Sequence, residues 1–297
     1  MARTARKVLL GREIDAMIRR ARMTQADAGK LIEVSQSRIA SVIAGTGNLT
    51  PDALETLAHG LGVTDSDYIA TLLELHRDNH KRGFWTTGHR RAYMDELRLL
   101  VDLENQADRL RETGAEIVPG LLQHPNYIRA LHEPLQLDIT DPDAVTVEDY
   151  VQARLARQQN LTKPRPPEFH AILSESCLRR SYGGDGVMLE QINHLIEVSW
   201  RPNIILQVMP FTHQAPGAGT EDRYTLIRVP SPGAAGDLEM AVVEAQGEIR
   251  YIDDKPAIAT REKIFARLSA TALGEADSRQ FMHHIARGLR GRPTIRQ

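Results

Sequence analysis

The stretch from Thr24 to Gly45, which reads TQADAGKLIEVSQSRIASVIAG, constrains this chain more than any other. Thr24 is suited to cap the start of a helix, and Asp27 three residues later supplies the carboxylate of a capping box. Ser35 can cap a second helix that begins at Gln36, and Gly45 stands where a helix-terminating glycine is expected. The stretch therefore predicts two short helices joined by a tight turn.

The second helix of this stretch has one apolar face and one polar face. Its apolar residues recur at spacings of three and four, at Ile39, Val42 and Ile43. The other positions near its start carry an amide, two hydroxyls and a guanidinium, from Gln36, Ser37, Ser41 and Arg38. A polar-tipped helix that follows a tight turn is the layout of a helix-turn-helix, in which the second helix enters the major groove of DNA.

This stretch resembles the DNA-binding domain of the Xre family of lambda-repressor-like regulators. The residues that match the family's intervals are Thr24, Gln25, Gly29, Val34, Ser35, Ile39 and Gly45. The resemblance implies a mainly α, five-helix, lambda-repressor-like helix-turn-helix domain, expected at residues 1–81. We expect its helices at Leu9–Arg22, Gln25–Ile32, Gln36–Ala44, Pro51–Leu61 and from Thr64 to about Lys81.

The chain departs from the family's pattern at two points. Glu33 stands where the turn usually has glycine, so a non-glycine residue is expected to adopt a left-handed backbone conformation there. The arginine–glutamate pair that often joins the first helix to the recognition helix is replaced by Ile18 and Ile43. We expect these two isoleucines to be in contact, because an apolar pair can replace a buried ion pair at little cost.

The resemblance also implies which residues touch DNA. It assigns contacts with the sugar-phosphate backbone to Gln25, Thr46 and Asn48. It assigns contacts with base edges to Gln36, Ser37 and Ser41. An amide can bind adenine through two hydrogen bonds, and a guanidinium can bind guanine in the same way. Gln36 would therefore carry most of the discrimination, together with Arg38 if that residue reaches a base rather than a phosphate.

Charge is distributed unevenly along the chain, whose net charge is −2. The first 50 residues contain nine basic and four acidic residues, a net charge of +5, so the remaining 247 residues carry −7. A basic N-terminal module on an acidic remainder fits a phosphate-binding domain joined to a part that does not bind nucleic acid.

Size and composition indicate two globular domains in a soluble protein. A chain of 297 residues is long for one domain, and its hydrophobic content of 41% is ordinary for a soluble protein. No apolar run approaches the roughly 20 residues that span a bilayer, and the N-terminal segment lacks the apolar core of a signal peptide. The single Cys177 excludes an internal disulfide and fits a reducing compartment. We expect a cytoplasmic, nucleoid-associated protein without a membrane partner.

The remainder of the chain is predicted to be an α+β domain at residues 90–290, after a linker at 82–89 and before a flexible tail at 291–297. Helical periodicity predicts helices at Arg90–Thr113, Pro125–His132, Val145–Leu161, Met188–Trp200, Pro256–Leu273 and Asp277–Leu289. β-Branched content and alternation predict strands at Ala115–Val118, Phe169–Leu173, Ile204–Met209, Tyr224–Val229, Met240–Glu244 and Ile249–Ile252.

Three landmarks distinguish this second domain. They are the runs VPGLLQ at Val118–Gln123, RPN at Arg201–Asn203 and VMPF at Val208–Phe211. Their order resembles that of the actinobacterial WhiJ-like group of Xre regulators, in which the helix-turn-helix is joined to a large C-terminal domain of unassigned role. The resemblance implies that a small acidic protein is often the partner.

No arrangement of residues in the sequence predicts an enzyme. The Gly217–Thr220 loop lacks the lysine of a P-loop, Ser174 does not lie in a nucleophile elbow, and His283–His284 has no other ligand in register. His76 and His80 have the spacing of metal ligands, but without further ligands nearby a solvated or packed pair is expected. We predict no catalytic residue, no metal site and no cofactor.

Together these features predict a sequence-specific transcriptional regulator that binds a double-stranded DNA operator. We expect a homodimer, because one helix-turn-helix domain buries too little interface for useful specificity. The C-terminal domain is expected to sense a small-molecule effector or a partner protein. The alternative is an antitoxin-like protein that sequesters a small partner and regulates its own gene. The residues expected at the ligand or partner site are Arg154, Gln158, Met209, Phe211 and Glu244, although core packing explains Met209 and Phe211 equally well.

Overall fold

The computed structural model describes residues 3–78, 92–93, 95–133, 145–214, 223–231, 233–245 and 248–290. These residues form two compact units. The first unit contains the described residues within 1–90, 94–106 and 229–238, and the second contains those within 91–93, 107–228 and 239–297. The first unit is therefore assembled from three separate pieces of the sequence.

The described part of the first unit is helical. Its elements are α1 (Ala5–Arg20), α2 (Gln25–Leu31), α3 (Gln36–Ile43), α4 (Pro51–Gly60), α5 (Ser66–Asp78) and α6 (Asp95–Gln106). The hydroxyls of Thr24 and Ser35 accept backbone hydrogen bonds from Asp27 and Arg38, so both predicted caps are confirmed. Helices α1 to α5 confirm the predicted mainly α, five-helix N-terminal region.

Two helices of this unit begin elsewhere than expected. The N-terminus of α1 lies four residues before Leu9, because the Thr4 hydroxyl accepts a hydrogen bond from the Lys7 N–H and caps it there. The start of α5 lies after Thr64, because the Asp65 carboxylate accepts hydrogen bonds from the N–H groups of Asp67 and Tyr68. In both cases a local side chain determines the first turn.

The first unit shows what happens at the two positions where the chain departs from the family's pattern. Glu33 has a φ of 56°, so the expected left-handed non-glycine residue is confirmed, and Gly45 has a φ of 72° after α3. Ile18 is buried in the apolar core of the unit, and Ile43 packs against the same core. Neither isoleucine is exposed, which supports the register that pairs them.

His76, predicted to be solvated or packed rather than metal-bound, is buried. His76 Nε2 lies 2.7 Å from the carbonyl oxygen of Leu49, and 3% of the residue is exposed. His80, the linker at 82–89 and the tail at 291–297 lie outside the described residues. The domain boundaries expected there stay predictions.

The second unit combines helices with a six-stranded mixed sheet, which confirms the predicted α+β class. Its helices are α7 (Pro125–His132), α8 (Val147–Gln158), α9 (Glu175–Arg179), α10 (Gly184–Val198), α11 (Lys255–Thr271) and α12 (Glu275–Arg290). Its strands are β1 (Arg109–Gly114), β2 (Glu168–Ser174), β3 (Ile204–Met209), β4 (Tyr224–Val229), β5 (Leu238–Ala245) and β6 (Glu248–Ile252). The strand order is β3-β2-β1-β4-β5-β6.

The sheet is parallel on one side and antiparallel on the other. Strands β1, β2 and β3 pair in parallel, whereas β1 pairs antiparallel with β4 and β5 pairs antiparallel with β6. Within the described residues no helix is long and apolar enough to cross a bilayer.

The predicted helix at Arg90–Thr113 is confirmed over Asp95–Gln106 but wrong from residue 109 onward, and the predicted strand at Ala115–Val118 is wrong. Helix α6 ends at Gln106, and the residues from 109 to 114 form β1 near the middle of the sheet. Leu110 follows Ala107 at a helical spacing of three, so the apolar pattern predicts a helix that continues beyond its true end. The competing signal is an alternation of two, in which Arg109 and Arg111 meet Glu262 on α11 while Leu110 and Glu112 point to the opposite face.

Candidate functional site

The first turn of α3 is an exposed polar surface of the predicted helix-turn-helix. Ile39 and Val42 bury the opposite side of the helix in the core of the first unit, at 0% and 3% exposure. Gln36, Ser37 and Arg38 are exposed. The apolar spacing of α3 therefore directs its polar start toward solvent.

The polar side chains of α3 differ in how free they are to bind a ligand. The Ser41 hydroxyl donates to the carbonyl of Arg38 at 2.7 Å, and the Ser37 hydroxyl lies 2.8 Å from that of Ser35. The side chains of Gln36 and Arg38 form no hydrogen bond or ion pair with any residue that the structure describes. Gln36 and Arg38 are thus the residues best prepared to meet an external partner.

The loop after α3 folds back onto that helix. The backbone N–H groups of Thr46 and Gly47 both donate to the carbonyl of Ser41, at 2.9 and 2.8 Å. The Thr46 hydroxyl is exposed and donates to the same carbonyl at 3.0 Å. Asn48 is half-buried and has an interaction within the protein, and Gln25 is half-buried in the first turn of α2. Of these predicted phosphate-contact residues, Thr46 and Asn48 are therefore partly occupied by interactions within the protein.

Helix α1 holds the C-terminal half of α3 at backbone distance. A Cβ atom added at Gly11 would lie 2.3 Å from the carbonyl oxygen of Ile43 and 2.7 Å from that of Val42. Only a residue without a side chain allows this approach. The position of α3 is therefore determined directly by α1.

A buried carboxylate on α1 holds the segment that follows β4. Glu13 is 0% exposed, and its Oε2 accepts hydrogen bonds from the N–H groups of Ala234 and Ala235 at 2.8 and 3.1 Å. The same oxygen accepts from the Tyr68 hydroxyl at 2.6 Å, and Oε1 accepts from the Ser231 hydroxyl. Burial, reinforced by the hydrogen bond to Glu13, raises the pKa of Tyr68.

Arg12 adds a second hold on the same segment. Its Nη2 donates to the carbonyls of Asp237, Gly236 and Ala235 at 2.9, 3.1 and 3.4 Å. We call Arg12, Glu13 and their partners between residues 231 and 237 the α1 clamp. The α1 clamp was not predicted from the sequence. One signal was present: Glu13 is a charged residue on the apolar side of α1, between Leu10 and Met17.

A cavity of about 580 Å³ lies beside the clamp in the first unit. Its apolar walls come from Ala16, Met17, Leu61 and Val63, and its charged lining residues are Arg20, Asp65 and Asp67. Tyr68 and Ala234, which both donate to Glu13, also line it. Charges of both signs line the cavity.

The residues predicted to form a site in the C-terminal domain are not all brought together. Met209 is 6% exposed and packs in an apolar core with residues of α11, so core packing explains it. Phe211 is 62% exposed, and its N–H donates to Glu175 Oε2 at 2.8 Å. Gln158 Nε2 donates to the carbonyls of Gly120 and Gln123 at 3.0 and 2.8 Å, which ties the VPGLLQ landmark to α8.

Arg154 and Glu244 do lie in one charged cluster. Arg223 Nη2 is 3.4 Å from Glu244 Oε1 and 3.7 Å from Glu112 Oε1. Burial, followed by the positive charge of Arg157, lowers the pKa of Arg154 to about 10. The arginine cluster therefore consists of Arg154, Arg157 and Arg223, with the carboxylates Glu112 and Glu244. Sequence reasoning missed Glu112, because it placed that residue on a helix.

His132, the last residue of α7, interacts electrostatically with Arg154 of the arginine cluster. Its ring stacks on that of Tyr150, with centroids 4.3 Å apart and planes 4° from parallel. Its Nδ1 is buried and has no hydrogen-bond partner in the described part of the chain. Burial, followed by the charge of Arg154, lowers the pKa of His132 to about 4, so the ring is neutral at pH 7.

Two family models match the chain. Residues 97–284 match the family described as "Domain of unknown function (DUF5753)", and residues 9–68 match the family described as "Helix-turn-helix domain". The second match contains α2, α3 and α4 entire, and with them the exposed first turn of α3. No curated protein and no solved structure matches the chain. The helix-turn-helix match supports a DNA-binding regulator.

Proposed function

Because the chain belongs to the family described as a domain of unknown function (DUF5753), and carries a helix-turn-helix domain at residues 9–68, we propose that it is a sequence-specific transcriptional regulator. The observation that carries the proposal is the first turn of α3, where Gln36 and Arg38 are exposed and make no contact through their polar atoms with the described residues. Within the Xre regulators, the three sequence landmarks favour the WhiJ-like group.

In the proposed complex, α3 lies in the major groove of a double-stranded operator with its N-terminal turn toward the bases. Gln36 binds adenine through its amide, and Arg38 binds guanine or a phosphate. Ser37 and Ser41 contribute less than the family resemblance implies, because their hydroxyls are engaged within α3. Gln25, Thr46 and Asn48 lie along the sugar-phosphate backbone, which the net charge of +5 over residues 1–50 attracts.

The regulator acts as a homodimer in the cytoplasm, associated with the nucleoid, and has no enzymatic activity of its own. Two recognition helices spaced by one turn of DNA give the specificity that a single small interface lacks. The second unit acts as the sensor of an effector. The support for this role is that described residues of Val229–Leu238, which connect β4 to β5, belong to the first unit and are held on α1 by the clamp. Helix α1 in turn fixes α3 through Gly11.

The test is the binding of the full chain to duplexes from its own upstream region, measured by fluorescence anisotropy over a range of salt concentrations. We expect Gln36→Ala to weaken binding to the preferred duplex by about 5- to 150-fold, because a bidentate base contact contributes about 1–3 kcal/mol. A matched control is Gln152→Ala, which removes an exposed glutamine from α8 and leaves α3 unchanged.

Arg38→Ala distinguishes the two roles left open for that guanidinium. If Arg38 reads a base, preference between duplexes falls at that position. If it binds phosphate, the affinity for all duplexes falls equally, and the slope of log affinity against log salt concentration decreases by about one. No preference for any duplex at low ionic strength would overturn the proposed function. A stoichiometric complex with a small acidic protein in the absence of DNA would favour the antitoxin-like alternative.

A further inference from the structure

We infer that the cavity of about 580 Å³ in the first unit binds a small zwitterion with an apolar body, of the kind of an aliphatic α-amino acid. The inference goes beyond the proposed function, because it places a small-molecule site in the unit that contains the helix-turn-helix. All residues that carry the argument belong to the first unit and to the described part of the chain.

The first step is the size of the cavity. Sites that bind small molecules usually have volumes of about 300–1,000 Å³, and this cavity falls within that range. A water molecule takes up only about 30 Å³ of the liquid. The cavity is therefore large enough for an organic molecule, and far larger than the space that a single bridging water needs.

The second step is the division of the lining into an apolar and a charged part. Met17 and Leu61 belong to the apolar core of the unit and are 3% and 8% exposed. Arg20, Asp65 and Asp67 are exposed. The apolar wall thus lies deeper than the charged groups, which form the rim. A ligand that fits this division has an apolar body and carries its charges at one end.

The third step is the availability of the charged groups at the rim. The Asp65 carboxylate is occupied, because it accepts hydrogen bonds from the N–H groups of Asp67 and Tyr68 at the start of α5. The side chains of Arg20 and Asp67 form no hydrogen bond or ion pair with any residue that the structure describes. They line the same cavity and yet do not pair with each other. One cation and one anion are therefore available to a ligand.

The fourth step is the chemistry that satisfies both groups. A guanidinium binds a carboxylate through two parallel N–H···O hydrogen bonds, and a carboxylate accepts from an ammonium group. A simple anion on Arg20 would leave a like charge beside it at Asp67, and a simple cation on Asp67 would have the same conflict with Arg20. A molecule that carries both charges bridges the two residues. An α-amino acid with an aliphatic side chain also fills the apolar wall.

The α1 clamp forms part of the same cavity. Gly233 and Ala234 line it, and the Ala234 N–H donates to Glu13 Oε2. The segment is packed directly on α5, since a Cβ atom added at Gly233 would lie 2.3 Å from Cε2 of Tyr68. A ligand in the cavity therefore contacts α1, α5 and the clamped segment together, and its binding should stabilise the folded first unit.

The experiment is thermal unfolding of the full chain with leucine and with three compounds that each lack one part of it. 4-Methylpentanoate lacks the amino group, 3-methylbutylamine lacks the carboxylate, and glycine lacks the aliphatic side chain. Leucine at about ten times its Kd is expected to raise the Tm by about 3–5 °C. The other three should need at least about tenfold higher concentrations for the same shift.

Glycine also measures the general stabilisation that an osmolyte gives by exclusion from the protein surface. A rise with glycine equal to that with leucine, or no rise with leucine up to its solubility limit, overturns the inference. Equal responses to leucine and 4-methylpentanoate would contradict the role of Asp67, and equal responses to leucine and 3-methylbutylamine would contradict that of Arg20.

Variants at the rim test the two charges separately. Arg20→Gln is expected to remove the preference for leucine over 3-methylbutylamine, and Asp67→Asn the preference over 4-methylpentanoate. Arg19→Gln in the same turn of α1 is the first control. Asp52→Asn is the second, because Asp52 is exposed and is the second residue of α4, as Asp67 is of α5. Both controls should keep both preferences, and unchanged preferences in the rim variants overturn the inference.

A further variant fills the cavity. Ala16→Leu places an aliphatic side chain where the body of the ligand is expected, so the response to leucine should be lost. Ala70→Leu adds the same atoms at an exposed position of α5 outside the cavity lining, and should keep the response. A full response in Ala16→Leu contradicts the assignment, and the exposed rim variants serve if Ala16→Leu does not fold. The measurement contains no DNA, so its failure and that of the operator-binding experiment are separate results.

Discussion

At the turn between α2 and α3, Glu33 adopts a φ of 56°, in the left-handed region that favours glycine. A residue with a Cβ atom loses about 1–2 kcal/mol in this conformation. The turn enforces it, because the N–H of Val34 must return to the carbonyl of Gly29 at 2.9 Å. Gly29 is itself required there, since an added Cβ atom would lie 2.6 Å from the Val34 carbonyl oxygen.

We therefore expect Glu33→Gly to stabilise the first unit. Relief of the strained φ outweighs the extra entropy of glycine in the unfolded chain, so the free energy of unfolding should rise by about 0.5–1 kcal/mol. The control is Glu55→Gly in α4, where the helical backbone gives glycine no advantage and a loss of about 1 kcal/mol is expected. Urea denaturation measures both. A loss of stability in Glu33→Gly equal to that of the control would contradict the argument.

Gly11 and Gly288 allow a matched pair of substitutions at helical glycines. Gly11→Ala places a methyl group against the backbone of α3, so we expect a loss of about 1–3 kcal/mol in the free energy of unfolding and weaker operator binding. No atom lies within 4 Å of the corresponding position at Gly288 in α12, so Gly288→Ala should stabilise by about 0.5–1 kcal/mol. Equal effects of the two substitutions on denaturation would show that α1 does not constrain α3.

At the scale of elements, the sequence predicts those whose boundaries are local. Helices α2 and α3 begin where expected because Thr24 and Ser35 cap them through residues three positions away. Strand β1 could not be predicted in this way. Its partners β2 and β4 are more than fifty residues distant, and their pairing overrides a pattern that is helical on its own.

The candidate sites likewise divide into those that local sequence predicts and those that depend on distant parts of the chain. The exposed positions of Gln36 and Arg38 follow from the spacing of apolar residues on α3. The arginine cluster does not follow from the sequence, because its residues come from α8, from β1, from β5 and from the position before β4, which only the folded sheet brings together. The α1 clamp joins Glu13 to Ser231, which are 218 positions apart, so no local pattern could reveal their hydrogen bond.

The α1 clamp is testable at the scale of the elements it joins. Glu13→Ala leaves the N–H groups of Ala234 and Ala235 and the Tyr68 hydroxyl without their acceptor, so we expect a loss of about 3 kcal/mol in the free energy of unfolding. Asp15→Ala on the same helix removes a carboxylate paired with the exposed Arg19, and should cost less than about 1 kcal/mol. Similar losses in the two variants would show that the clamp contributes little.

The stability of the whole molecule should depend on pH through His132. Its folded pKa of about 4 lies below the ordinary value of 6.5, so between these values the unfolded chain binds a proton that the folded chain does not. The free energy of unfolding should therefore fall as the pH is lowered from 6.5 toward 4. His132→Phe keeps a ring against Tyr150 and should reduce this slope.

The pH dependence is measured by urea denaturation at several values in that window. The control is His284→Phe on α12, where the histidine is exposed and the slope should remain that of the wild type. An identical slope in His132→Phe would contradict the assignment. The result also bears on the arginine cluster, since the positive charge of Arg154 is one cause of the low pKa.

The discontinuous first unit has a practical consequence for gene engineering. A clone truncated after α5 would encode α1 without Asp102 of α6, whose Oδ2 accepts from the Ala5 N–H at 2.6 Å. The same fragment would lack every donor to Glu13 that comes from residues 231–235, so the Glu13 side chain would lose the hydrogen bonds that it accepts from them. The helix-turn-helix domain therefore cannot be transferred to another protein as a single continuous segment of the gene. A working chimera has to carry α6 and the segment Val229–Leu238 as well.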